Sequence, residues 1–208
     1  MRKMKKKTIA GLIAIVVIAS VVIFAGCIEQ VNTYDKFGFS FEYPADMEVR
    51  EEGILSAEAN EESGAVYYEK PELIIIVKWM RMGKVDTSDL IKGTNNYLAD
   101  MDAEEGVTVY KTGHVIRQHI DHSLVEQLFA AVKRPIGSSD MLGSIGSWWC
   151  DESGRMFRVI VLVPGQELSV TRTFYGDGTI VDSVDAPKPS KNPSWKAYEA
   201  VIKSFRCH

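Results

Sequence analysis

Apolar and polar positions alternate with a period of two along much of this chain, the pattern of strands that bury one face. The clearest run is Phe37-Gly38-Phe39-Ser40-Phe41-Glu42-Tyr43, aromatic at every odd position and small or polar between. It predicts a half-buried strand that ends at Pro44, because proline cannot donate to a ladder. Residues 47–51 and 54–59 predict two short strands around Gly53, and Glu61-Glu62-Ser63-Gly64 predicts a turn. Leu73-Ile74-Ile75-Ile76-Val77-Lys78-Trp79-Met80 is a continuous, β-branched run and predicts a central strand.

The period then changes. Asp86-Thr87-Ser88 is a helix-start signal, Leu90, Thr94, Tyr97, Leu98 and Met101 follow at helical spacing, and Gly106 is the stop. Strand-like segments return at 107–112, 115–120, 124–132, 144–150 and 156–163, the last two joined by a turn at Asp151-Glu152-Ser153-Gly154. Asp177-Gly178 predicts a second hairpin that pairs 168–175 with 179–184. A loop at 187–193 leads to Ser194, the cap of a terminal helix with Tyr198, Val201, Ile202 and Phe205 on one face. Consecutive strands with one inserted and one terminal helix predict an α+β fold, an antiparallel β-sheet packed against helices.

The first residues follow neither pattern. Arg2, Lys3, Lys5, Lys6 and Lys7 precede an apolar run from Ile9 to Phe24, followed by Ala25-Gly26-Cys27. A basic start, an apolar stretch and small residues before a cysteine predict a lipoprotein signal peptide over 1–26, with Cys27 lipidated as the first mature residue. Phe24 stands where the usual motif has leucine. An uncleaved membrane anchor is the alternative; the run is near the short end of the roughly 17–25 residues that span a bilayer. Either way, the basic cluster stays inside and the rest lies outside the cytoplasm. Residues 27–36 form a short tether reaching about 35 Å at most. Residues 37–207 then form a single α+β domain, with a hairpin insertion at 164–193.

Charge narrows the partners. The leader holds five of the 24 basic residues and none of the 28 acidic ones, so the mature chain has a net charge of −9. An acidic body disfavours nucleic acid and anionic headgroups. With Cys27 assigned to lipid, Cys150 and Cys207 remain as an even pair in a compartment where disulfides persist. A bridge between them would stabilise the fold by about 4 kcal/mol in the chain-entropy view. Two buried free thiols are the alternative.

The aromatic alternation ending in Tyr43-Pro44, close after Cys27, resembles the PsbP-like family, as do the order of elements that follows and the final helix ending Val201-Ile202-Lys203-Ser204-Phe205. The resemblance covers roughly 37–163 and the last helix. It implies an α/β/α sandwich, often a lipoprotein, and an accessory rather than enzymatic role beside membrane complexes. Two departures stand out: Met47 where the family often has tryptophan, and the segment 164–193. No photosynthetic role carries over.

Few residues offer chemistry. His119-Ile120-Asp121-His122 supplies two imidazoles and a carboxylate, weak metal candidates because 119 and 122 face opposite sides of a strand unless a turn intervenes. Cys150, Cys207 and terminal His208 are a second thin set for zinc. Trp148, beside Trp149, is a partner-contact candidate, as are Arg172, Phe174 and Tyr175 on the hairpin. No nucleophile elbow, phosphate loop, dinucleotide fingerprint or His-Glu-x-x-His is present. The sequence therefore predicts a membrane-anchored, non-enzymatic binding or accessory module without a cofactor, facing a membrane or envelope protein. A small-ligand or metal-binding lipoprotein is second, and an extracytoplasmic hydrolase last.

Overall fold

In the computed structural model, residues 30–119, 122–133, 140–166, 168–185 and 193–208 are described. Cys27 and the leader lie outside the described residues. Asn32–His208 form one folding unit.

An eight-stranded antiparallel sheet is its centre. β3 (Glu48–Glu52), β4 (Ser63–Lys70), β5 (Leu73–Arg81), β10 (Arg155–Gln166), β9 (Asp140–Cys150), β8 (His122–Lys133) and β6 (Val107–Lys111) follow in that order, and β7 (Val115–His119) also pairs with β8. A second sheet holds β1 (Val31–Lys36), β2 (Phe39–Pro44) and β13 (Arg206–Cys207), with β2 in the middle. β11 (Ser169–Phe174) and β12 (Ile180–Asp185) pair only with each other. Two helices, α1 (Thr87–Asp102) and α2 (Pro193–Ser204), complete the described elements.

The period of two sorts the core into faces. On one face Val66, Tyr68, Ile75, Val77, Trp79, Phe157, Val159 and Val161 pack with Phe39 and Phe41 of β2 and with Tyr198, Val201, Ile202 and Phe205. On the other, Ala65, Ile76, Ile145 and Ile160 meet Leu98 of α1. Strands covered on both sides show little alternation, which is why β5 reads as a continuous apolar run.

α1 begins where the sequence predicts. The Asp86 carboxylate accepts from the Asp89 N–H at 3.0 Å, and the Asp89 carboxylate accepts from the Asp86 N–H at 3.4 Å, a reciprocal cap. Leu90, Thr94 and Leu98 are its buried stripe. α2 buries Tyr198, Val201 and Ile202, and Phe205 follows it into the core. Gly146 makes room for this, because a Cβ there would lie 2.9 Å from the Tyr198 hydroxyl. That hydroxyl donates to Glu126 Oε1 at 2.7 Å, and the same oxygen accepts from Arg117 at 3.0 Å.

Four expectations fail. Residues 54–59 form no strand: Leu55 is 73% exposed, with no neighbouring strand to pair. The predicted turn at 61–64 ends early, because Ser63 and Gly64 already belong to β4, with Gly64 beneath the Trp79 ring. Phe37 does not begin a strand. With φ of 53° and 72°, Phe37 and Gly38 make a left-handed two-residue turn between β1 and β2. The tether is also shorter than expected, since 31–36 form β1 and Tyr34 is buried in the core.

Candidate functional site

Two places bring the candidate residues together. The first is the hairpin of β11 and β12, in register from Ser169↔Asp185 to Phe174↔Ile180. Asp177 shapes its turn by accepting from the Thr179 N–H at 2.9 Å, and Gly178 takes φ of 86°. Arg172 is exposed, and at the tip Phe174 and Tyr175 are 70% and 54% exposed. The hairpin itself lies where the sequence predicts it.

Trp148 is a correction. It is buried, stacked 5.8 Å from Phe157 and edge-on to Phe205 at 4.7 Å. Its place in the alternation of β9 turns it to the core, so it is no contact residue. Trp149 faces the other way and is half-buried.

The second place is built from three distant stretches. β9 ends at Cys150, and the turn Asp151–Gly154 is closed by a 3.0 Å bond from the Gly154 N–H to the Cys150 carbonyl. Gly154 takes φ of 64°, which a side chain would resist. β8 begins at His122. The antiparallel register, Val125↔Ser147, extended three residues sets His122 across from Cys150. After α2 the chain returns as β13 along β2, with Cys207 opposite Phe39. His122 Nε2 and the sulfurs of Cys150 and Cys207 thus lie within 4.8 Å of one another. Cys207 Sγ is 3.7 Å from His122 Nε2.

Cys150 is buried, while His122 and Cys207 are partly open to solvent. The sequence left the two cysteines open between a disulfide and two buried free thiols; they stand here as free thiols, Cys150 buried and Cys207 partly so. The neighbouring Cys207 holds Cys150 down to about 5, while Cys150 beside it and burial push Cys207 up. Arg155, 3% exposed, stands beside them. Its guanidinium donates to the carbonyls of Phe37, Gly38 and Glu61 and acts on both sulfurs through space.

The two weak metal sets of the sequence are redrawn. His119 pairs with His122 across the β7–β8 ladder, and its side chain lies outside the described ones. His208 is engaged elsewhere, its N–H on the Gly38 carbonyl and its ring 3.7 Å from Asp35. The linking contact, His122 to the cysteines, was invisible in sequence because 28 residues separate 122 from 150 and 57 separate 150 from 207.

One more feature faces α1. A cleft of about 340 Å³ between this helix and the sheet has Arg158, Tyr97, Met156 and Leu90 in its lining. Arg158 donates to Ser147 at 3.2 Å and lies over the Tyr97 ring. Lys78 sits directly across from Arg158 in the ladder.

No family model matches this chain, and no curated protein matches it in sequence. Among solved structures, the chain is similar to the solution structure of cyanobacterial PsbP (CyanoP) from Synechocystis sp. PCC 6803. The two share 9% identity with a TM-score of 0.52, over 88% of this chain and 95% of that one. Identity this low speaks to the arrangement of the chain alone, and in that arrangement, sheets packed with two helices, the protein has a PsbP-like α+β fold.

Proposed function

We propose that this protein is a lipid-anchored, non-enzymatic accessory module, held outside the cytoplasm through Cys27 and engaging a membrane or envelope protein with its β11–β12 hairpin. The observation that carries this reading is the hairpin tip. Phe174 and Tyr175 are large aromatic groups left in water on a ribbon that joins neither of the other sheets. Exposed aromatics beside an arginine are the composition of contact hot spots. The net charge of −9 on the mature chain repels anionic headgroups, which favours a protein surface over the lipid itself. A short stretch between Cys27 and β1 keeps the domain close to the bilayer, so the partner belongs to the same membrane or its surroundings. The accessory role implied by the PsbP-like resemblance agrees with this reading.

A photo-crosslinking residue at position 174 of the native chain tests it. One discrete membrane-protein adduct is expected, lost on Cys27→Ser and on Tyr175→Ser. An adduct indifferent to both substitutions, or none at all, overturns the reading.

A further inference from the structure

The cluster at the end of β9 has the geometry of a metal site. On a tetrahedral zinc ion, ligands sit about 2.3 Å away for sulfur and about 2.0–2.1 Å for nitrogen. Those lengths place a sulfur and a nitrogen about 3.6 Å apart, and two sulfurs about 3.8 Å apart. The Cys207 sulfur and the His122 nitrogen are already 3.7 Å apart. No pair among the three exceeds 4.8 Å, so the set closes onto one ion with shifts of about 1 Å or less.

The donors select the ion. Two sulfurs and an imidazole suit zinc, whereas calcium and magnesium take oxygen. The surroundings are fit for it as well. Trp148, Phe157 and Phe205 belong to the core cluster that also holds Cys150, and they give the site a dry floor. His122 and Cys207 are partly open, which supplies an entry path. Arg155 brings a positive charge, but its Nη1 and Nη2 groups are turned to three carbonyls. The carboxylates of Asp151 and Glu152 in the adjoining turn oppose it, acting on His122 and Cys207 respectively.

We propose that His122, Cys150 and Cys207 form a three-ligand site for one Zn²⁺ ion, with its fourth position open to water or an outside donor. The ion joins β8, β9 and β13, so it fastens the last strand of the chain to the central sheet. This site is independent of the hairpin and of the accessory reading.

Cobalt(II) titration of the reduced, metal-stripped full chain carrying Cys27→Ser tests it, with only Cys150 and Cys207 left as thiols. A thiolate-to-cobalt charge-transfer band saturating at one equivalent is expected, and Zn²⁺ should displace it. Cys207→Ser should abolish the two-thiolate band while circular dichroism stays unchanged. His122→Ala should weaken the affinity by about tenfold or more, the scale reached even by losing groups that only support ligands. No band with both thiols titratable overturns the proposal. So does a band whose affinity is indifferent to His122→Ala, and so does a Cys150–Cys207 disulfide that, once reduced, still takes up no metal.

Discussion

Lys78 shows what a single side chain costs in this fold. It lies on β5 directly across from Arg158, with the Tyr97 ring 5.6 Å away. Burial first, and the Arg158 charge second, lower its pKa. Like charges facing each other across a ladder are unfavourable by up to about 1 kcal/mol. Lys78→Met keeps the stem and removes the charge, so it should raise stability at pH 7 by about that amount in urea denaturation. The sign with pH follows. A lysine whose folded pKa is lowered disfavours folding while it is charged, and the penalty lifts as pH rises from that lowered value towards the ordinary value of about 10.4. The native chain should therefore gain stability over that interval, and the variant should lose this gain. The residue scale also explains the misplaced Trp148. Sequence shows that two adjacent tryptophans face opposite ways, but not which of them meets Phe205.

At the scale of elements, caps and stripes were legible and strand edges were not. The Asp86 carboxylate is held below its ordinary pKa chiefly by the Asp89 N–H. An acid lowered in the folded state supports folding above its ordinary pKa of about 3.9 and loses that support as pH falls through the lowered value. Amide protection at Asp89, measured relative to its intrinsic exchange rate, should therefore fall as pH drops below about 4, and Asp86→Asn, which keeps an acceptor, should remove that dependence. α2 is tied down by Tyr198, whose buried hydroxyl meets Glu126. Tyr198→Phe should cost about 2 kcal/mol in chemical denaturation, the scale of a hydrogen bond to a charged group. Both helices are readable because their apolar spacing is local, and α1 also keeps its start signal, whereas α2 begins at Pro193 and so takes the predicted cap Ser194 into its first turn. β4 was missed for the opposite reason. Ala65, Val66 and Tyr68 are buried on both faces, so no alternation marks it, and Ser63-Gly64 imitates a turn. The run at 54–59 has strand-like residues but no neighbouring strand to pair with.

For the whole molecule, the separation between the core and the tip of the hairpin is the useful fact, because the base of the hairpin packs through Val170 on Ala130, Val132 and Leu168. Phe174 and Tyr175 touch no core cluster, so replacing both with serine should leave the unfolding midpoint nearly unchanged, within about 0.5 kcal/mol of stability. The same double substitution should abolish recovery of the membrane partner in a pull-down with the protein. A large loss of stability would mean that these rings serve the fold, and the proposed contact surface would fail.

The sequence by itself determined the class of fold, the two helices, the central strand β5 and the hairpin at Asp177-Gly178. Each of these depends on periods of two or 3.6 or on turn chemistry. Tertiary structure alone decided which face each tryptophan took, that residues 31–36 join the core as β1, and that His122 rather than His208 completes the cysteine pair. Those outcomes turn on register. His122 reaches Cys150 because β8 and β9 align residue by residue, and Cys207 arrives because β13 adds to β2. Register is settled by the packing of whole strands, a property no local stretch of sequence carries.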